Sequence, residues 1–265
     1  MALTIAGSDP SGGAGIQADL KTFSALGAYG TSVLVALTAQ STQGVTGVHV
    51  VPTDFVTQQL DTLAGDVRID AVKIGMLATA DVADAVAAFL RRQRCEVVVL
   101  DPVMVATSGD RLLADDAVEA VRRLLPLASV VTPNVAEAAT LLQEPAAQSV
   151  QEMVAQAHRL VTAGAPRVLL KGGHLTGAEG ATDVLVDADG VELLTGPRID
   201  TVNTHGTGCS LSSALAALRP QRPDWSRTAQ DAKAWLTGAL AAADVLDVGR
   251  GHGPVHHFHD VWGRP

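Results

Sequence analysis

Short apolar runs alternate with longer amphipathic stretches along almost the whole of this 265-residue chain, and that rhythm leaves few folds open. Strand-like runs are Ala2–Ala6, Ser32–Thr38, Ala71–Gly75, Val97–Asp101, Val130–Thr132, Val168–Lys171, Val184–Val186 and Val191–Thr195. Stretches with helical spacing are Ala14–Leu26, Asp54–Leu63, Ala80–Arg91, Asp115–Leu124, Val135–Leu142, Val150–Ala163, Thr207–Leu218 and Arg227–Val248. Strand, helix and strand in succession make a βαβ unit, and repeated units build a mainly parallel sheet with helices on both faces. Ser149 with Glu152 three residues later spells a capping box, and Thr79 is placed to cap the helix from Ala80. Asp187-Ala188-Asp189-Gly190 joins the last two strand candidates as a hairpin. With no linker or repeat in the chain, one α/β domain over residues 1–265 is expected.

Composition narrows the function classes. Apolar residues make up 47% and charged ones 18%, enough to bury a sizeable core. Aromatics at 3% give no stacking platform for single-stranded nucleic acid, and a net charge of −9 disfavours a general polyanion binder. The N-terminus lacks a basic segment followed by a long apolar one, and no run is long enough to span a membrane. Cys95 and Cys209 are far apart and belong to no metal-type cluster. These features point to a cytoplasmic protein with no nucleic-acid or membrane partner.

In open α/β sheets, ligands bind where strands end, and chemistry-bearing residues here gather at those places. Asn203-Thr204-His205-Gly206-Thr207-Gly208-Cys209 runs straight into a helix pattern. Its glycines let the backbone approach a ligand, and the helix start offers N–H groups and a positive dipole end, so Gly206 to Cys209 read as an anion trap. In that first turn the Cys209 thiol pKa is expected to fall. Gly7-Ser8-Asp9-Pro10-Ser11-Gly12-Gly13-Ala14-Gly15 is a second strand-end loop, matching neither the P-loop nor the dinucleotide fingerprint. Either it closes on a small ligand, or Asp9 or Ser11 caps the following helix. Asp101 ends a buried strand, where a carboxylate can hold Mg²⁺; Asn134 and Glu137 have the spacing of a capping box; Lys171 is a cation at another strand end. His256-His257-Phe258-His259 is a weak metal tract.

Taken together in order, these segments resemble the hydroxymethylpyrimidine/phosphomethylpyrimidine kinases of thiamin biosynthesis. The resemblance is carried by Ala6 through Thr22, Ala39-Gln40-Ser41-Thr42, Lys73-Ile74-Gly75-Met76-Leu77 and Asp101-Pro102-Val103-Met104. It continues through Thr132-Pro133-Asn134, Lys171-Gly172-Gly173-His174, Asn203 through Cys209 and Gly253 through Phe258. The resemblance implies a ribokinase-like, three-layer α/β/α fold, a homodimer, ATP and Mg²⁺ as cofactors, and an aminopyrimidine phosphorylated twice in succession. It implies that Gly7 and Gln40 hydrogen-bond the pyrimidine, with Asp19 near that pocket and Met76 and Val103 as apolar walls. Asp101 and Glu137 would organise the metal. Lys171, His205, Thr207 and Asn134 would lie toward the nucleotide, and Gly206, Thr207, Gly208 and Cys209 would form the catalytic anion hole. Where related sugar kinases carry an Asp base, this chain has Cys209. The alternatives are a pyridoxal or pyridoxine kinase on the same fold and, in a different class, a non-catalytic pyrimidine sensor.

Overall fold

A computed structural model describes residues 1–104, 117–173, 175 and 181–262. Its strands are β1 (Ala2–Ser8), β2 (Gly30–Ser41), β3 (Gly44–Val50), β4 (Ala71–Ile74), β5 (Val98–Leu100), β6 (Val130–Val131), β7 (Arg167–Leu170), β8 (Ala181–Asp187) and β9 (Gly190–Gly196). They form one sheet in the order β3-β2-β1-β4-β5-β6-β7-β8-β9. From β2 across to β7 every pairing is parallel, while β3, β8 and β9 add antiparallel edges. The fold is ribokinase-like, as expected. Because β1 lies between β2 and β4, the chain leaves it first to one side and later to the other. That is a topological switch point, where a crevice opens at the strands' carboxyl ends.

The helices are α1 (Gly15–Ala25), α2 (Thr53–Ala64), α3 (Ala80–Gln93), α4 (Ala117–Leu124), α5 (Val135–Leu142), α6 (Val150–Thr162), α7 (Thr207–Leu218) and α8 (Trp225–Ala241). One core sits between the sheet and α2 to α6, joining Leu3, Ile5, Val72 and Ile74 to Leu60, Phe89, Leu124 and Met153. The other lies under α1, α7 and α8, joining Val99, Val130 and Leu169 to Phe23, Leu215 and Leu236. Each such buried side chain contributes roughly 1.5–3 kcal/mol from water exclusion. Helix α7 is buried on every side from Ser210 to Leu218, in keeping with a sequence of small and apolar residues whose three serines are hydrogen-bonded.

Cap signals hold with one change. Thr79 and Ser149 accept from the N–H groups of Val82 and Glu152. The Glu152 carboxylate, however, reaches the N–H of Gln148 rather than that of Ser149. The hairpin of β8 and β9 forms as expected. Two differences stand out. β2 continues to Ser41 and turns into β3, an edge strand whose two glycines and solvent exposure hide it from a hydrophobic pattern. The last helix stops at Ala241 rather than Val248, because the returning tail binds there: the His256 N–H donates to Ala239 O. Asp115 and His174 lie outside the described residues.

Candidate active site

At the switch point β1 bulges between Ala6 and Gly7. A Cβ on Gly7 would come within 2.4 Å of Met76 Cε, so that methionine occupies the space a side chain would need. Met76 is buried with Ala36 and Ala78, and Val103 packs against the three. Gln40, at the end of β2, is reached through Thr38, whose Oγ1 lies 3.1 Å from Gln40 Oε1 and 2.8 Å from the Ser8 carbonyl. Gly7, Gln40, Met76 and Val103 therefore share one end of the crevice.

Asp19 is placed differently from the expectation. It is 0% exposed. Its carboxylate accepts from Thr4 Oγ1 (2.6 Å), Ser213 Oγ (2.6 Å) and Lys73 Nζ (2.9 Å to each oxygen). All its acceptor capacity faces inward, so it ties β1, β4, α1 and α7 together beneath the crevice instead of lining it. Burial works against the Lys73 ammonium, but the Asp19 carboxylate outweighs it and raises the pKa.

A charged cluster stands at the ends of β5, β6 and β7. Asp101 Oδ1 accepts from Lys171 Nζ (2.9 Å) and Thr132 Oγ1 (3.2 Å), and Oδ2 accepts from Ser212 Oγ (3.1 Å). Burial pushes the Asp101 pKa up, but the Lys171 and Lys73 charges and these hydrogen bonds bring it below the usual value. Asn134 and Glu137 form the capping box of α5, with Glu137 Oε2 2.7 Å from the Asn134 nitrogen and 3.8 Å from Lys171 Nζ. Burial, with the Asp101 charge added, pushes the Glu137 carboxyl up to about 7 although Lys171 opposes it. Burial also works against the Lys171 ammonium, and Asp101 and Glu137 more than compensate, so it stays firmly charged. Among the described residues no group of three or more His, Cys, Asp or Glu side chains is arranged to hold a metal.

The start of α7 meets this cluster. Gly206 caps the helix with φ 76°, and a Cβ there would lie 1.8 Å from the Gly13 carbonyl oxygen, so no other residue fits. Thr207 Oγ1 donates to Thr204 O at 2.7 Å. A Cβ on Gly208 would be 3.1 Å from Lys171 Nζ and 3.8 Å from Asp101 Oδ2. In the first helical turn the Thr207 N–H donates to Thr204 O at 3.2 Å, and the turn lies beside the permanent cation of Lys171 at Gly208. His205 turns away toward the first loop, its Nε2 2.8 Å from Asp9 Oδ2.

The thiol of Cys209 departs from the sequence expectation. Burial raises it to about 11, against the charge of Lys73 and with Asp19 and Asp101 adding to the rise. Desolvation and two carboxylates outweigh the Lys73 charge and the hydrogen bond from the Gly15 backbone. The histidine tract is also resolved: His257 Nε2 sits 3.0 Å from Ser210 Oγ, and His256 stacks edge-on against Trp262.

The described part of the site thus holds a small apolar cluster of Ala36, Met76, Ala78 and Val103 and, at the start of α7, a glycine turn against Lys171 and Asp101. A family model for phosphomethylpyrimidine kinase matches residues 9–256. The chain belongs to that family. It is 58% identical over 262 residues to the hydroxymethylpyrimidine/phosphomethylpyrimidine kinase of Salmonella typhimurium, covering 98% of each. The crystal structure of phosphomethylpyrimidine kinase from Clostridium difficile matches with a TM-score of 0.80 and 37% identity, over 90% of this chain and 98% of that one. An ADP complex of pyridoxal kinase from Bacillus subtilis matches with a TM-score of 0.89 and 36% identity, over 97% and 96%.

Sequence reasoning did not see Ser212, nor the pairings that three side chains make at this site. Ser212 and Thr132 hold Asp101, and Asp9 holds His205. A signal for Ser212 existed: Ser210, Ser212 and Ser213 lie in an otherwise apolar helix, and buried hydroxyls must find partners.

Proposed function

We infer that the chain is an ATP-dependent kinase that phosphorylates 4-amino-5-hydroxymethyl-2-methylpyrimidine and then its monophosphate, giving the diphosphate used for thiamin. The observation that carries this is the meeting of Gly208 with Lys171 and Asp101 at the start of α7, within one crevice with the Gly7–Met76–Val103 pocket. In each round the acceptor oxygen bonds to the γ-phosphorus while the bond to the β–γ bridging oxygen breaks and ADP leaves with that electron pair; in the first round the hydroxyl proton passes to an oxygen of the transferred phosphoryl group. Gly7 and Gln40 orient the pyrimidine, Met76 and Val103 exclude water, and Lys171 with the N–H groups of Gly206 to Cys209 receives the charge of the transferring group. Thr207 and Asn134 face the nucleotide side.

Asp101 and Glu137 would hold Mg²⁺, which when bound neutralises phosphate charge. The donor types fit: Mg²⁺ favours one or two carboxylates plus phosphate oxygens, and Asp101 and Glu137 are two carboxyls gathered round Lys171 Nζ, at 2.9 and 3.8 Å. With its thiol pushed up to about 11, Cys209 is protonated near neutral pH and holds almost no thiolate to act as a base. The second step needs no base at all, since its acceptor is already a phosphate oxygen. Positioning and charge stabilisation carry most of the rate. A homodimer in the cytoplasm, with the whole chain as one catalytic domain, completes the reading.

A second reading, phosphorylation of pyridoxal, is favoured by the TM-score of 0.89 to the Bacillus subtilis pyridoxal kinase. Mass spectrometry of products made from MgATP and hydroxymethylpyrimidine tests the main reading. Monophosphate appearing first and diphosphate accumulating at its expense is the expected course; an unchanged pyrimidine would overturn it.

A further inference from the structure

The acceptor side and the anion hole are built from segments separated by most of the chain; Asp19 and Ser213 join them deep in the core, and one side-chain pair, Asp9 and His205, joins the two loops themselves. Asp9, just past β1, is 2% exposed. Its Oδ1 accepts from the Ser11 N–H (2.9 Å), and its Oδ2 accepts from Ser11 Oγ (2.9 Å) and the Ala14 N–H (2.8 Å). The same Oδ2 lies 2.8 Å from Nε2 of His205, 196 residues further on. An ionised carboxylate only accepts, so His205 is the donor.

The contact around this pair is close. A Cβ on Gly13 would come within 2.3 Å of His205 Cδ2, and one on Gly206 within 1.8 Å of the Gly13 carbonyl. The two loops touch main chain to main chain, with glycine at both points. From behind, Lys21 Nζ donates to Gly12 O (2.7 Å), and the His205 N–H donates to Gly253 O (3.0 Å).

Gly12, Gly13, Gly15 and Gly206 make both loops intrinsically free to move, so something outside their backbones must set their separation. In-line transfer tolerates little error there: a displacement near 1 Å at the reacting centre costs on the order of 100-fold in rate. We propose that Asp9 and His205 form a positioning clasp that sets the acceptor loop against the anion hole, governing turnover rather than the binding of either ligand. His205 then acts through Asp9 and Gly206 and not by touching the nucleotide. The inference rests on the kinase reading above.

The test compares the full-length protein with His205→Ala, His205→Gln, Asp9→Asn and the double variant Asp9→Asn/His205→Ala. Initial rates are measured with MgATP and hydroxymethylpyrimidine, ADP affinity by calorimetry, and Tm alongside. The clasp predicts that His205→Ala loses about 100-fold in kcat, with KM for the pyrimidine and Kd for ADP within about threefold. His205→Gln, whose amide can still donate to Asp9, recovers at least about tenfold of that loss, and the double variant is no slower than His205→Ala. A KM or ADP Kd that rises while kcat holds would make His205 a ligand contact and overturn the clasp. So would a glutamine variant no better than alanine, or full additivity in the double variant. If the alanine variant does not fold, the glutamine variant and Asp9→Asn still decide: both must keep ligand affinity and lose kcat by less than alanine is expected to. An inactive wild-type protein would instead mark failure of the kinase reading.

Discussion

At the scale of single residues, buried titrations separate this site from what its motif suggests. Cys209 occupies the first turn of a helix, yet its thiol is pushed up to about 11 by burial and by the carboxylates of Asp19 and Asp101. Cys209 should therefore alkylate slowly at pH 7–8 and speed up only toward pH 11; a thiol faster than a free cysteine at pH 7 would contradict this. Cys209→Ala should keep the second phosphorylation within roughly tenfold of wild type, because little thiolate exists to be lost. Glu137 is raised in the same way. Its carboxyl sits at about 7 in the folded chain against an ordinary 4.5. The folded protein keeps a proton that the unfolded chain gives up, so Glu137's contribution to stability is fully present below pH 4.5. That contribution is lost as pH rises through 7. Thermal melts in chelator should show Tm falling across that window and Glu137→Gln flattening the fall; identical slopes for the two proteins would refute it. Gly206→Ala combines a left-handed φ with a clash against Gly13 O, so a loss of at least about 1 kcal/mol and of nearly all turnover is expected. Wild-type rates in that variant would show that the two loops are not so tightly opposed.

At the scale of elements, the parallel strands were legible because each is a short apolar run followed by a helix. The edge strand β3 was not, since Gly44-Val45-Thr46-Gly47 carries neither a continuous apolar run nor strict alternation. The site divides in the same way. The residues at the ends of β1, β4, β5, β6 and β7 could be named from position and resemblance, because strand ends are where such sheets bind ligands. What could not be read was which of these residues face one another. Asp19 and Lys73 both belong to motif segments, yet nothing local in the sequence says that they form a fully buried pair. The partnership of Asp9 with His205 likewise has no period to betray it. The buried pair makes its own prediction. Lys73→Met alone leaves Asp19 charged and unpaired and should cost about 3–5 kcal/mol, whereas Lys73→Met with Asp19→Leu should recover much of that stability. Denaturant titrations would read both, and equal losses in the single and double variants would show that the charges themselves hold β1 to α7.

Across the described residues, one nine-stranded sheet brings the ends of β1, β2, β4, β5, β6 and β7 to one side, and the switch point lies at β1. The acceptor pocket, the anion hole and the charged cluster are each held by different elements. Their relative placement is therefore a property of the fold rather than of any loop. Similarity to both pyrimidine and pyridoxal kinases follows from this, since the scaffold fixes where phosphate goes while a few residues at the pocket fix what accepts it. On the proposed reading, the choice between acceptors would rest on Gly7, Gln40, Met76 and Val103. The most direct measurement is kcat/KM from ADP release with MgATP, offering hydroxymethylpyrimidine, its monophosphate and pyridoxal to the same purified protein. Turnover of both pyrimidines, with pyridoxal at least about tenfold poorer, is the expected result. Turnover of pyridoxal alone would contradict the account of the pocket while leaving the anion hole in place.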